Sequence, residues 1–110
     1  MAKLEHAFVG DFDRALEVLD AEITGGSASA SYEDGSTLAV GDCRIAVRVY
    51  ERYSLVGSNR VSLSLTLVGH GEQLYLTGIT SGGSQAVFFK VNTFGEDAFL
   101  DKLRKAIGRL

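Results

Sequence analysis

The sequence contains no proline, and this absence excludes a stiff, proline-rich linker between domains. No internal repeat or low-complexity segment marks a domain boundary either. At 110 residues the chain is long enough to bury a core without the help of metals or disulfides. We therefore predict a single domain over residues 1–110.

Cysteine and histidine are scarce, which limits metal and redox chemistry. The one cysteine, Cys43, excludes an internal disulfide and a multi-cysteine zinc site. The two histidines, His6 and His70, lack the spacing of a metal-binding motif. We expect no metal and no cofactor. We interpret Cys43 as a small apolar residue on the inner face of a strand rather than as a nucleophile.

Positive charge and long apolar runs are also lacking. The 11 basic and 14 acidic residues give a formal net charge of −3, which argues against nucleic acid as the main partner. No segment approaches the roughly 20 apolar residues of a membrane helix, and the N-terminal stretch MAKLEHAFVG has no run typical of a signal peptide. We expect a cytoplasmic protein that does not enter a membrane.

Two segments have the apolar spacing of amphipathic helices. In the first, GDFDRALEVLDAEITGG, Asp11 can cap the N-terminus, and Gly25 with Gly26 can end the helix in the left-handed conformation. The second follows Thr93 and Glu96, which have capping-box spacing. The apolar stripes of these helices are Phe12, Leu16, Leu19 and Ile23, and Phe99, Leu103, Ile107 and Leu110.

Between the two helices, apolar and polar residues alternate as in strands with one buried face. We predict six strands, separated by turns at residues 33–35, 41–42, 55–59, 70–71 and 81–84. The expected inner-face residues are Ala28, Ala30 and Tyr32; Leu38 and Val40; Cys43, Ile45, Val47 and Val49; Val61, Leu63, Leu65 and Leu67; Leu74 and Leu76; and Val87, Phe89 and Val91.

The turns set the pairing, because residues that face each other across a hairpin point to the same side of the sheet. The turn at 70–71 places Leu67 opposite Leu74, and the turn at 81–84 places Leu76 opposite Phe89. The glycines of residues 81–84 precede a strand rather than a helix N-terminus. We therefore interpret this stretch as a hairpin loop and not as a phosphate-binding loop.

Together with a strand over residues 4–9, these elements follow the order β-α-β(6)-α, a curved antiparallel meander of the α+β class. Only one face of this sheet is apolar, so both helices are expected to pack there. The topology resembles the helix-grip and TATA-binding-protein-like folds, and a shared topology implies no function by itself. The sequence leaves open whether residues 4–9 pair with the last strand or with another chain.

Three stretches, RVYERYS, NRVSLS and TSGGSQAVFFKVNTFGE, resemble an uncharacterised family of small bacterial proteins, a domain of unknown function common in Firmicutes. The resemblance runs over nearly the whole chain. It implies no activity and no site residue, so candidate sites have to be argued from the residues themselves.

One candidate site is a pocket between the sheet and the C-terminal helix. Glu51 continues the inner-face series of its strand, where an unpaired carboxylate is costly. Either the strand leaves the core there and Glu51 meets water, or Glu51 lines a pocket for a small apolar or amphipathic ligand. In the second interpretation the polar rim comprises Tyr53, Asn59, Ser81, Ser84 and Gln85, with Gly78 leaving space beneath it.

A second candidate site is the outer face of the sheet, where Arg44, Arg48 and Arg52 are expected to form a row. The apolar character of the face comes from Tyr50, Tyr75, Ile79 and Phe88. One interpretation is a face that simply meets water, although such a face needs fewer apolar residues than this. The two alternatives are a homodimer interface and a platform that stacks single-stranded RNA. The acidic net charge argues against RNA.

The sequence does not establish a function. We interpret the chain as a non-enzymatic cytoplasmic domain that binds a small molecule or a protein and self-associates. One alternative is a small enzyme that uses Glu51 as an acid or a base in the pocket. A second alternative is single-stranded RNA binding on the sheet face.

Overall fold

A computed structural model of the protein describes residues 1–25, 30–53, 60–82 and 103–110. The elements of this part of the chain are β1 (Ala2–Val9), α1 (Phe12–Thr24), β2 (Ser31–Val40), β3 (Cys43–Tyr53), β4 (Arg60–His70) and β5 (Gln73–Gly82). Residues 103–107 are also helical. The fold is a small α+β domain with an antiparallel sheet, which confirms the predicted class.

The sheet has five strands in the order β1-β5-β4-β3-β2. β1 pairs with β5, which is neither the predicted last strand at residues 87–91 nor another chain, so both alternatives that the sequence left open are wrong. As a result, β5 has a neighbour on each side, and Leu76 lies between His6 and Leu67. The prediction that Leu76 faces Phe89 is therefore wrong. The predicted strand at residues 87–91 and the predicted capping box at Thr93 and Glu96 lie outside the described residues.

α1 begins as the sequence predicted. Asp11 caps the helix, and its carboxylate accepts a hydrogen bond of 2.9 Å from the backbone N–H of Arg14. The face packed on the sheet comprises Phe12, Ala15, Leu19 and Ile23, all buried. Three of these belong to the predicted stripe, whereas its fourth residue, Leu16, is only partly buried. At the other end, Gly25 has a φ of −97° and is not the left-handed residue that the glycine pair was predicted to supply. Gly26, the other glycine of the pair, lies outside the described residues.

The core lies between α1 and the inner face of β4 and β5. Leu63, Leu65 and Leu67 of β4 and Leu76 of β5 are fully buried, as predicted, and Leu103 and Ala106 of the C-terminal helical residues join the same cluster. Burial of a large apolar side chain stabilises the fold by about 1.5–3 kcal/mol. Hydroxyl residues alternate with the leucines of β4 on the outer face, which is the pattern of a strand buried on one side.

The inner face of β3 is the opposite of the predicted one. Tyr53 pairs with Arg60, whereas the predicted turn at residues 55–59 would pair Ser54 with Arg60, so the register differs from the predicted one by one residue. The pairing therefore places Val49 opposite Ser64 and Arg48 opposite Leu65. A change of one residue in a hairpin connection turns the whole strand over. The residues on the outer face are Cys43, Ile45, Val47, Val49 and Glu51, and those on the inner face are Arg44, Ala46, Arg48, Tyr50 and Arg52.

β2 is one long strand rather than two short ones. The predicted turn at residues 33–35 is wrong, since the chain continues along β3 with an irregularity between Tyr32 and Asp34. Gly35 is needed there for space, because a Cβ at this position would lie 2.7 Å from the carbonyl oxygen of Val47. The predicted turn at residues 41–42 is confirmed: Gly41 has a φ of 59°, and Val40 faces Cys43.

The hairpin between β4 and β5 differs from the prediction in register only. Its turn consists of residues 71–72, with Gly71 at a φ of 61°, so Leu67 faces Leu76 instead of Leu74. A shift of two residues leaves every side chain on its predicted face. For this reason the core of β4 and β5 is unaffected by the error.

Candidate functional site

Glu51 does not lie in a pocket under the C-terminal helix. It lies on the outer face at the end of β3, where its Oε1 is 2.6 Å from Nη2 of Arg60. Its Oε2 accepts a hydrogen bond of 3.3 Å from the hydroxyl of Ser62. These contacts correct the expected inner-face position, and they give the carboxylate the partners that such a group needs at a half-buried position.

The other pocket candidates do not converge on one site among the described residues. Gly78 is buried on the inner face, as predicted, between Leu65 and Leu4. Ser81 is opposite Ser62, on the same outer face as Glu51. Tyr53 is the last residue of β3. Asn59, Ser84 and Gln85 lie outside the described residues.

The interface candidates are divided between the two faces of the sheet. Arg44, Arg48, Tyr50 and Arg52 are on the inner face, which corrects the expected outer row of arginines. Tyr75 and Ile79 are on the outer face, as predicted. Phe88 lies outside the described residues. Burial lowers the pKa of Arg52, an effect that an arginine on an open outer face would not show.

Two polar links join β3 to α1. The guanidinium of Arg44 binds the carboxylate of Asp13 through both oxygens, at 2.8 and 3.1 Å, and lies 4.3 Å from the centre of the Phe12 ring. The hydrogen bond from Arg44 holds the pKa of Asp13 below its usual value. The hydroxyl of Tyr50 donates a 2.8 Å hydrogen bond to Asp20. Burial, followed by this bond, raises the pKa of Tyr50.

A cleft of about 650 Å³ opens beside these links. We call it the α1 cleft; its residues are Asp13, Leu16, Glu17, Asp20 and Thr24 from α1 and Tyr32 and Arg48 from the strands. All residues of β2 are exposed, including those on the inner face, so α1 covers the middle of the sheet but not this edge. One wall of the cleft therefore carries carboxylates and the other wall carries an arginine.

The outer face has an uncharged centre. We call this centre the outer patch; it consists of Ile45, Val47, Val49, Ser64, Thr66, Val68, Tyr75, Thr77 and Ile79. One row across the full width of the sheet, Ala7, Tyr75, Val68, Ile45 and Leu38, contains no hydrogen-bonding side-chain group other than the tyrosine hydroxyl.

Charged residues of the outer face lie around the outer patch. Lys3 and Glu5 are on the edge strand β1, Asp34 is on the edge strand β2, and Glu51 is at the end of β3. Glu5 accepts a hydrogen bond from the hydroxyl of Tyr75, and this bond, with the charge of Lys3, lowers the pKa of Glu5. The same bond raises the pKa of Tyr75.

The family model described as a family of unknown function, DUF6054, matches residues 1–110. The chain belongs to the DUF6054 family. No curated protein matches it. Among solved structures, TTHA0849 from Thermus thermophilus is 12% identical to this DUF6054 domain, and the match covers 96% of this chain and 95% of the other with a TM-score of 0.30. A likeness at this level carries no argument about fold or function.

The geometry changes two hypotheses about the DUF6054 domain. The enzyme hypothesis placed Glu51 in a pocket, whereas the carboxylate is paired with Arg60 on the outer face. The RNA hypothesis needed the arginines and Tyr50 on an open face, whereas Tyr50 is fully buried and Arg44 is paired with Asp13. The enzyme hypothesis therefore loses the pocket position of Glu51. The RNA hypothesis loses Tyr50 and the arginines from the outer face, whereas Tyr75 and Ile79 remain on it.

The chemistry of the described residues adds two observations on this DUF6054 domain. In residues 1–25, 30–53, 60–82 and 103–110, no group of three or more His, Cys, Asp and Glu side chains is arranged to hold a metal ion. Within the same ranges, no helix has the length and apolar character needed to cross a membrane.

The α1 cleft was missed from the sequence, although a signal for it was present. Asp13, Glu17 and Asp20 recur at helical spacing, so they share one side of α1. Arg44 and Arg48 recur at even spacing, so they share one face of β3. The opposite signs of these two series indicate that the arginine face of β3 lies beside the acidic side of α1.

Proposed function

We propose that this DUF6054 domain is a binding domain that self-associates, with two copies packed through the outer faces of their sheets. The observation that carries the proposal is that the outer patch, at the centre of the outer face, contains no charged residue. A solvated sheet face normally carries charged residues among its hydroxyl groups, whereas the charged side chains that the structure describes on this face lie at its margin. We also propose that the protein is bacterial and acts in the cytoplasm.

The exposed apolar residues support an interface on this face. Leu38, Tyr75 and Ile79 are exposed by 44%, 41% and 37%. Ile45 and Val68 lie between Leu38 and Tyr75 in one row across the sheet, so the apolar surface along this row is continuous rather than scattered. Contiguous apolar patches on soluble proteins are often interaction sites.

The size of the face supports a second copy as the partner. Five strands spaced about 4.8 Å apart and about ten residues long give a face of about 24 by 33 Å, or about 800 Å². A stable interface of standard size buries about 800 Å² on each partner. The arrangement of an apolar centre and a charged margin also matches the anatomy of such interfaces.

A two-fold arrangement is the simplest closed assembly for this surface. In a two-fold dimer the same patch is used by both copies, so no second complementary surface is needed. Two sheets that pack face to face interdigitate their side chains in a layer about 10 Å thick. The valines and isoleucines of the outer patch would then form a second core.

Native mass spectrometry together with light scattering at several concentrations tests the proposal. We expect the protein to have twice the mass of the 11.8 kDa chain. Val47→Glu on β3 and Ile79→Glu on β5 each place a charge within the outer patch, and we expect folded monomers by circular dichroism. Two variants on different strands are needed because either one could disturb its own strand.

Leu110→Glu is the matched control. Leu110 is exposed by 40%, similar to Ile79, but it lies at the C-terminus, away from the outer patch. This variant is expected to remain a dimer. A wild-type protein that stays monomeric at every concentration would overturn the proposal, and so would a dimer that persists in both outer-patch variants.

A further inference from the structure

The α1 cleft has the features of a ligand site, separate from the outer patch. Its volume of about 650 Å³ lies within the range of about 300–1,000 Å³ that is typical of small-molecule sites. It has apolar surface from Leu16 and the ring of Tyr32, and it has charged groups on two facing walls. The charges indicate the class of ligand.

Arg48 supplies a positive charge in a fixed position. Its Nη1 donates hydrogen bonds of 2.9 Å to the carbonyl oxygens of Ser36 and Val47, and its Nη2 donates a 2.8 Å bond to the hydroxyl of Thr37. The side chain passes beside Gly35, where a Cβ would lie 2.8 Å from Cδ of Arg48. The guanidinium is therefore held before any ligand arrives, which reduces the entropy lost on binding.

The charge of Arg48 is not matched by an ion pair. Its acceptors are all neutral oxygens, and among the described residues no carboxylate lies within 4.0 Å of it. Arg44, on the same face of the same strand, shows the contrast, because it binds Asp13 through both carboxylate oxygens. A half-buried arginine without a carboxylate partner is suited to bind the carboxylate of a ligand.

The α1 wall supplies the opposite charge. Glu17 lines the cleft and has no hydrogen bond or ion pair with any described residue. Asp20, one helical turn further on, accepts a bond from Tyr50 and keeps a second carboxylate oxygen. An ammonium group in the cleft could bind to both carboxylates, and the face of Tyr32 could also contact it.

We propose that the α1 cleft binds a small zwitterion with an apolar middle, namely a short peptide with both termini free. The peptide carboxylate binds Arg48, the peptide ammonium binds Glu17, and the apolar side chains contact Leu16 and Tyr32. Each charged wall of the cleft then has a partner of opposite sign, as complementarity requires.

Isothermal titration calorimetry of the full chain with the dipeptide Leu-Leu tests this inference. N-acetylation removes the ammonium group, and C-terminal amidation removes the carboxylate. We expect each modification to weaken binding about tenfold, since each removes one charge-assisted hydrogen bond. Failure of Leu-Leu to bind, or equal binding of the three peptides, would overturn the inference.

Variants assign each end of the peptide to its wall. Glu17→Gln is expected to weaken the free dipeptide about tenfold and to leave the acetylated peptide unchanged; Arg48→Gln is expected to weaken the free dipeptide and leave the amidated peptide unchanged. Glu72→Gln and Lys3→Gln are the matched controls: both residues are exposed, neither lines the cleft, and Lys3 is on β1, at the edge of the sheet opposite β2. If Arg48→Gln loosens β2, the Glu17→Gln variant still tests the inference, because Glu17 is on the surface of α1 and its substitution should not disturb the fold. An unchanged dissociation constant in Glu17→Gln overturns the assignment.

Discussion

The hydroxyl of Tyr50 and the carboxylate of Asp20 form a 2.8 Å hydrogen bond between the sheet and α1. Tyr50 is fully buried, whereas Asp20 is exposed. The bond therefore fixes the edge of the helix at the border between the core and the α1 cleft. Because Tyr50 has this partner, its polar group can be buried without the cost of an unsatisfied donor.

Removal of the Tyr50 hydroxyl is expected to destabilise the fold. Tyr50→Phe keeps the ring in the core and deletes one hydrogen bond to a charged group, so the free energy of unfolding should fall by about 1–2 kcal/mol. Urea denaturation at a fixed protein concentration measures this change. Tyr32→Phe is the control: Tyr32 is exposed, so this variant should lower the free energy of unfolding by no more than about 0.5 kcal/mol. Equal losses in the two variants would contradict the role of the bond.

Stability should also decrease at alkaline pH through Tyr50. Burial and the bond to Asp20 raise the pKa of Tyr50 above its ordinary value of 10.0. The unfolded chain then loses this proton at a lower pH than the folded chain, so the contribution is complete below pH 10 and is lost as the pH rises above it. Urea denaturation across this pH range should show a decline in the wild type that is shallower in Tyr50→Phe. The same slope in both proteins would contradict the prediction.

Gly35→Ala is expected to destabilise the protein although Gly35 lies in an exposed strand. The new Cβ would meet the carbonyl oxygen of Val47 at 2.7 Å and Cδ of Arg48 at 2.8 Å, and the backbone contact cannot relax without a shift of β2. Overpacking of this kind costs about 1–3 kcal/mol. Thermal unfolding of Gly35→Ala beside Ser36→Ala, at the neighbouring exposed position, measures the difference. A Gly35→Ala protein as stable as the control would show that β2 is not confined here.

Thr80 is expected to hold the start of β1 to the sheet. Its buried hydroxyl accepts a 3.2 Å hydrogen bond from the N–H of Ala2 and donates a 3.3 Å bond to the carbonyl of Ala2. Thr80→Val removes both bonds, so the amide of Ala2 should exchange its hydrogen faster while that of Phe8 is unchanged. Hydrogen exchange measured by NMR reports both amides. Thr66→Val, on the outer face, is the control and should change the exchange rate of neither amide. An unchanged exchange rate at Ala2 in Thr80→Val would contradict the role of Thr80.

Local elements of this protein could be predicted because their signals are local. The cap at Asp11, the apolar face of α1 and the turn at Gly41 depend on residues within a few positions of each other. The alternation of leucine with serine and threonine in β4 likewise admits one inner face. These are the parts of the fold where prediction and structure agree.

The candidate sites could not be predicted in the same way, because they depend on which face of β3 is inner. Both faces of this strand are compatible with a core: one carries Ile45, Val47 and Val49, and the other carries Ala46 and Tyr50 between arginines. By composition alone, the face with Ile45, Val47 and Val49 is the one expected to be buried in the core. Arginine becomes favourable on the inner face only when Asp13 of α1 lies above it, a contact between Asp13 and Arg44, which are 31 positions apart.

The amino-acid order alone was sufficient for the class of the fold, the start and inner face of α1 and the inner faces of β4 and β5, because hydrophobic periodicity and capping act over short distances. The face of β3 and the insertion of β1 beside β5, and hence the outer patch and the α1 cleft, followed from three-dimensional packing. The cause is the two-residue period of a strand: a shift of one residue in the pairing of β3 with β4 exchanges the two faces of β3 without any change in local preference.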